Sequence, residues 1–122
     1  SLAAFLLLTG CGSGKSNIED YLKEENAIMG RMMEEMDSAR NTGSAELDFL
    51  HGMIPHHQSA VEMSKSYLEY AGKGGEFKGL AENIISAQNK EIDQMNTMIE
   101  ALRKRKALIP TRRRPIWKNT AP

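Results

Sequence analysis

Two turn-forming clusters cut this chain into long segments, and that division constrains its fold more than any other feature. Asn41-Thr42-Gly43 and Gly72-Lys73-Gly74-Gly75 interrupt sequence in which apolar residues recur at three- and four-residue steps. After the second break the stripe is Phe77, Leu80, Ile84, Ile92, Met95, Ile99 and Leu102. Between the breaks two adjacent seams run in parallel, one through Leu47, Leu50, Ile54, His57, Val61 and Leu68, the other through Phe49, Met53, His56, Ala60, Met63 and Tyr67. Both histidines of the pair at 56 and 57 are thus expected to face inward. Before the first break, Met29, Met32, Met33 and Met36 form a sulfur stripe that Leu22 and Glu25 continue. Each segment therefore reads as an amphipathic helix.

Local signals fix the expected ends. Ser16 and Glu19 have capping-box spacing and predict a first helix from Ser16 to about Arg40. Ser44 is the expected N-cap of a second helix reaching about Ala71, with Glu46 and Asp48 suited to its positive end. A third is predicted from about Glu76 to Lys106, beyond which Pro110 and Pro115 disfavour helix. Short loops between long helices imply an all-α, antiparallel bundle of three to four helices, each about 40 Å long. Such a bundle has no large interior cavity, so any chemistry comes from side chains on facing helices. A missing fourth helix leaves an apolar groove, and a homodimer is the expected remedy.

The two ends read differently. Residues 2–8 are an apolar run too short to span a bilayer, which needs about 20 residues. They fit the core of a secretory signal, and Leu8-Thr9-Gly10-Cys11 resembles the bacterial lipobox, in which cleavage precedes a lipidated cysteine. The expected organisation is a signal remnant at 1–10, a lipidated Cys11 with a flexible tether at 11–16, a helical domain at 17–106 and a basic tail at 107–122. This predicts an envelope protein held to the extracytoplasmic face of a membrane, in the periplasm or at the cell surface. As the single cysteine, Cys11 excludes an intrachain disulfide and any multi-cysteine metal site. Gly14-Lys15-Ser16 imitates the end of a phosphate-binding loop, but that motif's first glycine falls on Thr9 and no strand-like run precedes it. The formal net charge of +0 conceals an asymmetry: all 16 acidic residues lie at or before Glu100, while eight of the 16 basic residues follow it. On an exported lipoprotein the tail is expected to be solvated or to meet anionic lipid, not nucleic acid.

The densest chemistry lies in Asp48-Phe-Leu-His51-Gly-Met53-Ile-Pro55-His56-His57, which holds all 3 histidines of the chain around a proline. Pro55 withholds the helical hydrogen bond that the carbonyl of His51 normally accepts. Imidazole suits copper and zinc, whereas thioethers are soft ligands that suit Cu(I). Met53, His56 and Met63 share a helix face, to which the first helix can add Met29, Met32, Met33 and Met36 and the third Met95 and Met98. The expected cargo is Cu(I), with Ag(I) as its analogue. Zn(II), the lesser candidate, would draw on Asp48, His51, His56, His57 and Glu91. The alternative is that methionines at helical spacing simply fill core gaps. A di-iron site would need Glu-x-x-His motifs on two helices, and Asp48-x-x-His51 is the nearest approach.

The Met53-Ile54-Pro55-His56-His57 box, followed by Ala60-Val61-x-Met63 and by Gln88-x-x-Glu91-Ile92-x-x-Met95, resembles a known family. It is the ferritin-like bacterial domain-of-unknown-function family numbered three hundred and five, which includes the CopM-type copper-binding periplasmic proteins. The resemblance covers about residues 45–102. It implies a ferritin-like helical bundle, export and binding of copper or silver, with Met53, His56, His57, Met63, Gln88, Glu91 and Met95 as the positions at stake. The chain departs from many relatives in carrying one copy of the box, and its Arg-rich end has no counterpart. The function expected is therefore non-enzymatic: an anchored copper-binding protein for sequestration, tolerance or chaperoning. The rival is a structural or interaction module that dimerises through its His/Met face.

Overall fold

The computed structural model describes residues 14–39 and 41–108, so the lipobox-like segment with Cys11 and the residues from 109 onward lie outside the described part. It contains three α-helices: α1 (Gly14–Ser38), α2 (Ala45–Ala71) and α3 (Lys78–Leu108). The all-α bundle expected from the periodicity is what the chain forms. Among the described residues no helix is long and apolar enough to cross a membrane.

The α1–α2 turn follows its side-chain chemistry. Asn41 and Gly43 adopt positive φ angles of 75° and 84°, and Ser44 caps α2 by accepting from the amide of Leu47 at 3.3 Å. Asp48 accepts from both the amide and the hydroxyl of Thr42 at 2.9 Å. These bonds, above all the one from the Thr42 amide, hold its carboxyl below the usual range. At the far end Gly72, at φ 64°, closes α2 by donating to the carbonyl of Leu68, and a 3₁₀ turn covers Gly72–Gly74.

Two boundaries depart from expectation. α1 opens at Gly14, so Ser16 sits within the helix and is not its N-cap. α3 opens at Lys78 because the hydroxyl of Tyr67 accepts from the amide of Phe77 at 2.9 Å, fixing that residue in the turn. Phe77 and Leu80, expected in the core, are more than half exposed, although the Phe77 ring stands beside Tyr67.

α2 is the central helix. Tyr21 stacks on Tyr70 while Arg31 reaches Glu62 at 3.2 Å, so α1 runs antiparallel to α2. Leu50, Met95 and Ile99 form the α2–α3 core, with Leu47, Met53, Ile54, Ile92 and Leu102 packed around it. α1 and α3 both pack on α2 but make no comparable contact with each other. The helices lie as an open layer, with α1 and α3 on opposite flanks of α2. Ile28, 1% exposed, is the side chain that anchors α1.

The α1–α2 seam also takes in a carboxylate. Glu25 is half-buried and its Oε1 is buried without a hydrogen-bond partner. Burial pushes its carboxyl above the usual range, against the lowering effect of a hydrogen bond with Tyr21, and the neighbouring Glu24 pushes it further up. A carboxyl raised in the fold favours folding below the ordinary carboxylate range and loses that contribution as pH rises through the raised value. Glu25→Gln should therefore raise the melting temperature at about pH 7, and the difference should vanish near pH 3, where the carboxyl is neutral in both folded and unfolded chains. Melting curves of the two proteins at the two pH values check this.

Candidate metal site

Helical geometry separates the three histidines. At about 100° per residue, His56 projects about 140° and His57 about 240° around α2 from His51. His51 lines a groove with Glu35, Gln58, Asn96, Glu100 and Arg103, on one side of the layer. His57 occupies the α2–α3 seam, and His56 is exposed on the opposite side. The expectation that both members of the pair face inward thus holds only for His57.

His57 has both ring nitrogens engaged: Nδ1 bonds the carbonyl of Met53 at 2.9 Å and Nε2 bonds Glu91 Oε2 at 2.5 Å. The pair ties α2 to α3, and neither nitrogen is open to a metal while it stands. Asp48 is held by Thr42 in the turn. Among the described residues no three His, Cys, Asp or Glu side chains come together as a metal-ligand group. The residues expected for a Zn(II) site, Asp48, His51, His56, His57 and Glu91, are thus distributed over a turn, two faces and a seam.

The methionines sort by depth. Met95, 8% exposed, packs against Leu50 and Ile99 and belongs to the core, because its position on α3 points straight at α2. Met32, Met36 and Met53 are half-buried. Met29, Met33, Met63 and Met98 are exposed, between 38% and 61%. Register places the exposed ones: Met32 Sδ lies 3.1 Å from Ser59 Oγ, so Met29 stands level with Met63, and Met36 with His56. Met29, Met33 and Met36 turn to the same side of α1 on which α2 presents His56 and Met63. This face offers soft donors from two helices around an open imidazole.

Sequence reasoning missed Ser59. It is buried where α1 meets α2, and its hydroxyl also lies 2.6 Å from the carbonyl of His56. A serine one turn after His56 on the α1-facing side was the available signal. Gln88 is half-buried on α3.

Residues 10–99 match the domain of unknown function family DUF305. The chain belongs to this family. A DUF305 assignment carries no activity in its description, and the helical layer with its Met-Ile-Pro-His-His box is what this member of it presents. The chain is also similar to the uncharacterized protein L153 of Acanthamoeba polyphaga mimivirus, at 42% identity over 52 residues. That alignment takes in 43% of the DUF305 chain and 34% of the viral protein, so the chain spans about a third of its relative's length.

Proposed function

We propose that this protein carries a soft monovalent metal ion, Cu(I) with Ag(I) as its analogue, on the face shared by α1 and α2. The donors are His56 and Met63 of α2 with Met29, Met33 and Met36 of α1. Lipidation of Cys11 would hold the carrier on the extracytoplasmic face of a membrane, where it sequesters or hands on the metal without transforming it. One observation carries this reading: half of the eight methionines stand exposed, and three of these four lie on α1 and α2 beside an exposed histidine. Methionines that served only to fill a core would be buried.

The donor chemistry supports Cu(I) over Zn(II). Thioethers hold Cu(I) well and hard divalent ions poorly, and the scattered carboxylates and histidines form no borderline-hard set. A thioether also needs no deprotonation, whereas imidazole must be neutral to bind. Cu(I) uptake by the untagged protein, titrated against a competing chelator, should reach at least one equivalent and weaken by no more than about thirtyfold between pH 7 and pH 5, the loss that protonation of one ordinary imidazole ligand brings. Tighter binding of Zn(II) than of Cu(I) would overturn the assignment.

A further inference from the structure

The same side of the layer, which includes the proposed metal donors, shows a second property. On α2 it consists of Phe49, Met53, His56, Ala60, Met63 and Tyr67, without one charged residue. α1 adds Leu22, Met29 and Met33, and α3 adds Leu80, Ala87 and Met98, placed there by the same helical period. Phe49, Leu22 and Leu80 are between 53% and 61% exposed. Of the carboxylates beside this face, Glu91 is tied to His57 and Glu25 is half-buried in the α1–α2 seam. The opposite side is richer in charge, with Glu24, Arg31, Glu62, Lys65 and Glu69 along a single cleft. A layer with one charged and one apolar side is half of a two-layer structure.

We infer that a second copy of this chain covers the apolar face, so that two three-helix layers close into a six-helix homodimer in the absence of metal. The area fits. A helix the length of α2 extends about 40 Å, and three helices at 8–10 Å spacing make a face about 20–25 Å wide. That is roughly 800–1,000 Å², the area each partner contributes to a stable interface. The composition fits as well, because homodimer interfaces are more apolar than other surfaces, and interfaces in general are enriched in Met and aromatics. A lipid surface is the less favoured occupant. Helices that lie on membranes flank the apolar strip with Lys and Arg along its length, whereas residues 1–102 carry 16 acidic against 8 basic side chains and the other eight basic residues are gathered at one end of the chain. Two such acidic bodies approach best through the faces that lack charge.

Sedimentation equilibrium of the full chain, stripped of metal by a chelator, tests this. The wild type should show a mass of about 27 kDa, twice the 13.6 kDa of one chain, at micromolar concentration. Leu22→Glu/Phe49→Glu/Leu80→Glu should weaken the dimer at least a hundredfold while its helical circular dichroism is unchanged, since all three positions are exposed. Arg31→Ala/Glu62→Ala, on the charged side, should leave the mass at the wild-type value. A wild type that stays monomeric to about 100 μM overturns the inference. So does a triple variant that stays dimeric, which would trace association to another surface or to the apolar N-terminal run. Dimers that form only on adding Cu(I) overturn it too, as does monomeric protein captured by phosphatidylcholine–phosphatidylglycerol vesicles. Leu22, Phe49 and Leu80 supply no metal donor, so this test succeeds or fails separately from the copper titration.

Discussion

Truncating Ile28 to alanine should cost about 2–5 kcal/mol, a large share of the roughly 5–15 kcal/mol that holds a small domain together. Ile28 is the one large side chain that is fully buried among the described residues, and it sits on a helix that packs chiefly on α2. The other ties of α1 are weaker. The Arg31–Glu62 pair is half exposed, and exposed ion pairs contribute about 0–1 kcal/mol. The expected result is therefore local: α1 should lose amide-exchange protection first, while α2 and α3 keep theirs through Leu50, Met95 and Ile99. Hydrogen exchange resolved by helix checks it. Uniform loss of protection across all three helices would show that α1 is integral to one cooperative core.

Replacing Met29, Met33 and Met63 together by leucine should lower Cu(I) affinity on the order of a hundredfold or more, because removing ligands outright costs at least as much as disturbing their supports. Leucine keeps apolar volume and helix propensity, so the melting temperature of the metal-free protein should stay within a few degrees. The dimer should persist as well, since the face remains apolar. A chelator-competition titration beside a melting curve reads both quantities. Unchanged Cu(I) affinity would return these methionines to packing and leave His56 without its soft neighbours. Met95 is left out of this variant because it lies in the α2–α3 core, where replacement would disturb stability and confuse the comparison.

The elements were legible in the sequence because the forces that set them are local. Ser44 announces its capping role by type and position, and Gly72 stops α2 where a positive φ is required. The histidine arrangement was legible in part. Positions 51, 56 and 57 cannot share one helix face at 3.6 residues per turn, so the split of His51 from His56 is implicit in the numbering. Which seam of α2 meets a neighbour is not implicit, because both read as apolar. The structure buries the Leu50–Ile54–His57–Val61 seam against α3 and leaves the Phe49–His56–Met63 seam outward. For the same reason an inward His56 was expected and an exposed one is found. Periodicity reports that a helix has an apolar side and says nothing about how many partners that side has. The flanking of α2 by α1 and α3, the fact that opens the layer, is a long-range choice.

That central position of α2 also governs how fast the chain can fold. α1 and α3 are its immediate neighbours in sequence, joined through the Asn41–Gly43 turn and the Gly72–Gly75 turn, and nearly all interhelical contacts close one of these two loops. Chains whose contacts are short in sequence fold on the microsecond-to-millisecond scale. Each hairpin needs only about 60 residues of chain, so the first can form while the last helix is still being synthesised, at about 5–20 residues per second. The order of synthesis, α1 then α2 then α3, is thus an order in which every helix meets its partner as soon as that partner exists.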